Sequence, residues 1–396
     1  MLLRAATLAD GRVVDVRLTG AFISEIGSRL SPVADEAVHD LAGQLLLAAF
    51  VEPHAHLDKA FLAERIPNPT GDLMGAIQAM ITHRDLLNID DTIERAERAV
   101  RLMVSNGATL IRTHADTTQE TQLMSIEALV EVRRRVAAIC DLQIVALVSW
   151  PVTGTAGADS RALLCAALEA GADVVGGCPH LDDDPAAAND TLLSIAAEYG
   201  CDVDLHTDET LDPTKLGLED LARRVTATGF AQRVTASHCV SLAMQSEARQ
   251  QEIAETVAAA RINVIALPHT NLFLQGRDRQ SAMPRALTAV RALRRSGVNV
   301  CAGADNLQDP FNPVGRGDPL ETAGLMVIAA HLLPDDALHT VSGASRIAIT
   351  GEATGIAAGA PAELVAVVAS SVRDAVAFGP PGRLVIHQGR IVSGAE

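Results

Sequence analysis

Between residues 49 and 351 short apolar runs alternate with longer stretches of helical period. The runs are LLLAAFV, ATLIRTH, LQIVALVSW, ADVVGG, CDVDLH, RVTASH, INVIALP and VNVCAGAD, the first reaching back into residue 45. Between them lie IERAERAVRLMVSN, SIEALVEVRRRVAAI, ALLCAALEAG, TLLSIAAEYG, EIAETVAAAR and ALTAVRALRRSG, whose apolar residues recur every three to four positions. Several of these end in Gly or Asn, the residues that most easily terminate a helix. Eight strand–helix units predict an α/β fold of the (β/α)8, TIM-like barrel type. A doubly wound open sheet would place G-x-G-x-x-G after its first strand, and this chain does not. The two ends follow another pattern. TLADGRVVDVRLTG and AFISEIG near the start, and AELVAVVAS and GRLVIHQGRIVSG near the end, read as short antiparallel strands. They predict a small β-sandwich domain, assembled from residues 1–48 and 352–396 around a barrel of residues 49–351.

Polar residues interrupt the apolar runs at one recurring place, the C-terminal strand ends, where barrel active sites are assembled. His54 and His56 follow the first strand, His114 and Asp116 end the second, and His206 ends the fifth with Asp208 and Glu209 just beyond. His238 ends the sixth and Asp305 the eighth. Residues i and i+2 on a strand share a side, so His54 and His56 can face one ion; a pair of satisfied polar loop residues is the alternative. Taken with His206 and Asp305, three imidazoles and a carboxylate suit a divalent first-row ion with a position open for water. Asp305 could both hold the ion and accept a proton from its water, whose pKa the ion would lower. Glu209 is suited to proton transfer if its pKa is raised, unless Asp204, Asp208 and Glu209 form a solvated acidic turn. His238 could meet the water or a forming oxyanion, or simply cap a strand. Asp309 reads as structural, holding the turn before Pro310. Phe311 can cover a flat ring or pack.

Composition narrows the function. With 48% hydrophobic and 20% charged residues the chain is globular, and a net charge of −17 disfavours nucleic acid and anionic membranes as partners. A small neutral or cationic molecule is the expected substrate. The first residues, MLLRAATLADGRVVDV, do not read as a signal peptide, and no apolar run reaches spanning length. Six cysteines without a C-x-x-C pair point to reduced thiols and a cytoplasmic setting. No phosphate-loop or G-x-S-x-G motif is present. Lys59 and Lys215 are the only lysines, and Lys59 sits in HAHLDK beside the proposed site.

FVEPHAHLDK, LIRTHADTT, VDLHTDE, VTASHCV, NLFLQGR and NVCAGADNLQDPFNP, in this order, resemble segments of the amidohydrolase superfamily, within it the cytosine deaminase-like branch. The likeness runs over nearly the whole chain. It implies one zinc or iron ion on His54, His56, His206 and Asp305, with Glu209, His238 and Asp305 in catalysis. Two-metal relatives usually carry a bridging lysine or glutamate on strand four. Here ADVVGGCPH offers neither, in keeping with a single ion. Three departures concern the substrate. Ser149 and Trp150 stand where cytosine deaminases carry a pyrimidine-reading glutamine, Asn306 where they carry a second aspartate, and Phe311 where they carry a ring-covering tryptophan. These residues and Lys59 are the candidate substrate contacts. The resemblance also implies a homo-oligomer.

The expectation is a metal-dependent hydrolytic deaminase of a small nitrogen heterocycle, cytosine-like or related. The alternatives on the same site are removal of an alkylamine from a triazine-like ring, or opening of a cyclic amide. A catalytically silent metal-binding barrel is an alternative of another class, and a sugar- or phosphate-handling barrel would want basic sites that the strand-eight loop lacks.

Overall fold

The run LLLAAFV, one strand by its pattern, is divided between two sheets in the computed structural model, which describes residues 1–394. Its first half, Leu45–Ala48, pairs antiparallel with Leu364–Val367, and its second half begins Phe50–Ala55, which pairs in parallel with Ala108–Thr117. The break falls at Ala49, whose N–H is donated to the Glu363 carbonyl. An apolar run carries no mark of which sheet covers it, so the pattern could not locate this seam.

In chain order the strands are β1 (Leu2–Thr7), β2 (Val13–Thr19), β3 (Phe22–Gly27), β4 (Val38–Asp40), β5 (Leu45–Ala48), β6 (Phe50–Ala55), β7 (Ala108–Thr117), β8 (Asp141–Val148), β9 (Val174–Gly177), β10 (Asp202–Thr207), β11 (Val234–His238), β12 (Asn263–Ala266), β13 (Val300–Ala302), β14 (Leu364–Val367), β15 (Leu384–His387) and β16 (Arg390–Ser393). Strands β6 to β13 form a parallel sheet in sequence order, with helices in the connections, which is a TIM-like barrel. Its apolar faces carry the main core, for example Ile111, Ile144, Val175, Leu205, Ala236 and Val264.

Closure between β13 and β6 happens at the mouth. The Asp305 N–H is donated to the His54 carbonyl (2.9 Å) and the His56 N–H to the Asp305 carbonyl (3.0 Å). Just below, the buried Glu52 carboxylate takes the place of a neighbouring strand: it accepts the Ala304 N–H at 3.0 Å and the His54 N–H at 3.1 Å. Burial pushes its pKa up to about 8, against the pull of those N–H groups.

The end strands form one second sheet, ordered β16–β15–β14–β5–β1–β2–β3 with β4 on β1. It gathers its own core of Leu3, Val16, Ile23, Leu46, Leu364 and Ile386. Residues 395 and 396, the last two of the expected C-terminal stretch, lie outside the described residues. The helices follow local chemistry. Asn88 accepts the Asp91 N–H and opens Ile89–Ser105, while Gly200 and Gly229, at φ 65° and 62°, end Pro185–Tyr199 and Gly217–Thr228. The stretch ALTAVRALRRSG is helical only over Val290–Arg295; before it the Thr288 hydroxyl is donated to the His238 carbonyl, which holds that segment against the mouth.

Candidate active site

His54 Nε2 and His56 Nε2 lie 3.5 and 3.3 Å from Asp305 Oδ1, and His56 Nε2 lies 3.2 Å from His206 Nε2. One nitrogen from each of His54, His56 and His206 falls within 4.8 Å of the others, as do donor atoms of His54, His238 and Asp305. First, fifth, sixth and eighth strand ends thus meet, as the sequence predicted. At most one proton can lie between two facing ring nitrogens, so the cluster is a set of lone pairs short of a partner.

Each imidazole is held differently. His54 Nδ1 donates to Ser237 Oγ (2.9 Å), because the Ser237 hydroxyl is itself donated to Asp204 Oδ1 (2.9 Å). That fixes the proton on Nδ1 and turns the His54 Nε2 lone pair into the site. Asp204 in turn is clamped by Arg112 Nη1 at 2.8 Å, with both side chains buried. Burial first, then neighbouring cationic or potentially cationic groups, push His54 and His206 well below the ordinary histidine range. Neutral imidazole is the form that binds a metal. His54 Nε2 and Asp305 Oδ2 are buried with no hydrogen-bond partner among the described residues. An unpartnered ring nitrogen and carboxylate oxygen in a buried N/O donor set fit a divalent cation.

The acid–base groups flank this cluster. Glu209 is buried, and burial followed by the Asp305 charge pushes its carboxyl well above the usual range, which favours its protonated form. Asn271 Nδ2 donates to His238 Nδ1 (3.0 Å) and to Glu209 Oε1 (3.3 Å). With Nδ1 accepting, the His238 proton sits on Nε2, which is buried and unpartnered. Burial lowers the His238 pKa to about 4, so this is a neutral N–H donor. Asp305 keeps a lowered pKa despite its burial, through the His56 hydrogen bond and the nearby His238. His238 and Asp305 both adopt positive φ, 71° and 63°, a conformation that costs about 1–3 kcal/mol in a residue with a Cβ and that clusters at functional sites.

His56, His206, Glu209, His238 and Asp305 open on one cavity of about 480 Å3. The candidate substrate contacts Ser149, Trp150, Phe311, Asn306 and Lys59 line it as well. Lys59 is buried, with Nζ 2.7 Å from Asp116 and 3.2 Å from His56 Nδ1; burial opposes its charge, but Asp116 and Asp58 raise its pKa overall. Asn306 is already engaged, donating to Asp309 Oδ2 (2.7 Å) and accepting from Thr270 Oγ1 (3.2 Å). Asp309 accepts the Phe311 and Asn312 N–H groups, the structural role its sequence position indicated.

Residues 62–393 match the amidohydrolase family. The chain is 32% identical over 395 residues to a pterin deaminase of Rhizobium rhizogenes, covering 97% of this chain and 86% of that one. Among solved structures, 5-methylcytosine deaminase from Klebsiella pneumoniae, liganded with 5-fluorocytosine, superposes with a TM-score of 0.92 at 32% identity, covering 100% of this chain and 98% of the other. N-isopropylammelide isopropylaminohydrolase from Burkholderia multivorans gives 0.86 at 29% identity, with 100% and 98% covered. The chain belongs to the amidohydrolase family.

In this amidohydrolase the alternative of a solvated acidic turn is excluded, because Asp204, Asp208 and Glu209 are all buried. Asp208 accepts the Gly217 and Leu218 N–H groups and so anchors the helix Gly217–Thr228 under the site. His114, grouped with the strand-end residues by pattern, does not line the cavity but lies beside His54 and Asp204. Its ring lies 3.9 Å from that of His54, and both its nitrogens are buried without partners. Sequence reasoning missed Arg112, Ser237, Asn271 and Glu52. A period of two would have found one of them: Glu52 stands two residues before His54, on the same strand.

Proposed function

We propose that this amidohydrolase is a hydrolytic deaminase that replaces the exocyclic amine of a small nitrogen heterocycle with oxygen, using one divalent ion on His54, His56, His206 and Asp305. The likeness to two heterocycle deaminases supports the reaction class. The observation that carries the chemistry is the buried Glu209 carboxyl and the His238 imidazole, joined through Asn271, beside the donor cluster and lining the same cavity as His56, His206 and Asp305. A divalent ion there supplies a water activated at neutral pH. Asp305 Oδ2 takes a proton from the attacking water. His238 Nε2 donates to the oxygen as negative charge develops on it. Glu209 delivers its proton to a ring nitrogen. Asp305 passes the proton it took to the exocyclic nitrogen, so the carbon–nitrogen bond breaks and ammonia leaves, and the second proton of the water restores Glu209. Lys59, Ser149, Trp150, Asn306 and Phe311 orient the ring.

The likeness to an isopropylaminohydrolase supports a second reading, loss of an alkylamine by the same steps. Zinc or iron both suit the donor set, and the division into a barrel of residues 49–351 and an end domain of 1–48 and 352–396 belongs to this reading. So do a homo-oligomeric state and a cytoplasmic setting, the latter fitting six free thiols. Glu209→Gln keeps shape and removes the proton. Its ammonia release from an amino heterocycle should fall by about 10²–10⁴-fold with metal content unchanged; full activity in that variant would end the assignment of Glu209 as the acid.

A further inference from the structure

The two relatives of equal identity act on different ring systems, one on a pterin and one on 5-methylcytosine, so identity does not decide between them. The cavity does. At about 480 Å3 it lies within the range of cavities that bury drug-sized ligands, roughly 300–1,000 Å3, and a single six-membered ring would leave much of it empty.

Its lining is mixed. It holds His56, His206, Glu209, His238 and Asp305. Besides polar residues such as Asp116, Gln119 and Asp159, the lining has an apolar group, Leu73, Ile77, Met80 and Ile81 of the helix Leu73–Thr82, with Leu181 and Trp150. Those four helix positions follow i, i+4, i+7, i+8 spacing, so one apolar face is turned to the cavity. Ile81 stays 50% exposed and Trp150 40%, although exposed apolar side chains gain nothing from solvent. In a chain with 2% aromatic residues, the single Trp and one of seven Phe both line this one cavity. Flat faces in such a lining suit a flat ligand.

We propose that the substrate is a fused two-ring amino heterocycle of the pteridine kind. Its amine-bearing ring lies against Glu209 and His238, and its second ring lies against the helix Leu73–Thr82 and Trp150. The inference rests on the deaminase reading. Water supplies the entering oxygen, the carbon–amine bond breaks, and the two protons of water leave on ammonia and the ring, with no redox partner required.

Metal-loaded full-length protein is assayed for ammonia release from pterin, cytosine and isocytosine. The expected kcat/KM for pterin exceeds that for either single ring by at least about tenfold. Ile77→Trp, which fills the cavity at its apolar group, should lower the pterin-to-cytosine ratio by a similar factor; Met80→Trp replaces it if that protein does not fold. A single ring handled as well as pterin, or a ratio unmoved by both variants, overturns the two-ring proposal and leaves the deaminase reading standing. If nothing releases ammonia, the deaminase reading fails. Titration of Glu209→Gln protein with pterin and cytosine then still judges ring count, because equal or weaker pterin binding overturns it.

Discussion

Ser237 shows how much of the site depends on a side chain that touches no reacting group. Its oxygen accepts from His54 Nδ1, and its proton goes to Asp204, which Arg112 holds from behind. The chain of contacts sets one tautomer and one ring angle, and with them the direction of the Nε2 lone pair. Ser237→Ala leaves the imidazole free to turn and to exchange its proton between nitrogens. Losses of about 10–100-fold in metal affinity accompany such removals. Competition with a chelating dye should show that loss while the far-ultraviolet circular dichroism stays unchanged; a variant that holds metal as tightly as the parent would mean that packing alone orients His54. Asn271 serves the acid–base pair in a similar way, and its amide links Glu209 to His238.

Among the elements, the end sheet offers a test remote from the cavity. At the end of β15 the buried His387 donates from Nδ1 to Glu363 Oε2 at 3.0 Å, just before β14, and Gln388 N–H reaches the other oxygen. Burial opposes the imidazolium, but the Glu363 hydrogen bond and charge raise the His387 pKa above 6.5; burial likewise opposes the carboxylate, yet His387 holds Glu363 below 4.5. The signs follow from linkage. The histidine's contribution is complete below its unfolded value and is lost as pH rises through the raised folded one. The glutamate's is complete above its unfolded value and is lost as pH falls through the lowered folded one. The pair therefore stabilises most between pH 4.5 and 6.5. His387→Asn should melt below the parent by the widest margin in that window, with the gap narrowing as pH rises through the raised His387 value. A gap that does not change with pH would show that the pair stays uncharged. The barrel seam has its own device: Glu52 accepts backbone N–H groups where β6 and β13 meet, and so keeps His54 and Asp305 in register.

At the scale of the whole molecule, the proposed ion joins the beginning, middle and end of the barrel. Its donors come from β6, from β10 and from the loop after β13, the seam through which the barrel closes. An ion bound only by the folded chain adds stability by mass action, on the order of 4 kcal/mol at a free concentration a thousandfold above Kd. Chelator-stripped protein should be inactive and should melt earlier, and both should return with zinc or iron. Unchanged melting and activity after metal content has fallen to zero would contradict a metal-dependent reaction. No helix among the described residues is long and apolar enough to cross a membrane. The net charge of −17 repels polyanions from the whole surface, which leaves the mouth to small molecules.

The sequence by itself determined the barrel, the end sheet and six residues of the candidate site that the fold brings together. Eight apolar runs divided by helical stretches allow few other topologies, and that topology brings the C-terminal ends of distant strands to one mouth. His54, His56, His206, Glu209, His238 and Asp305 were legible because they interrupt apolar runs just there. Tertiary structure alone decided the rest. Whether Asp204 is a solvated acid or a clamp depends on Arg112, which lies 92 residues away in the chain. Whether LLLAAFV is one strand or two depends on β14 and β7, which reach it from opposite directions in sequence. The helix Leu73–Thr82 divides its apolar residues between a small core, through Ala79 and Met80, and the cavity that Leu73, Ile77 and Ile81 line. Pattern records what each residue prefers. Partnership across space, which fixes protons, charges and the lining of the cavity, exists only once the chain has closed.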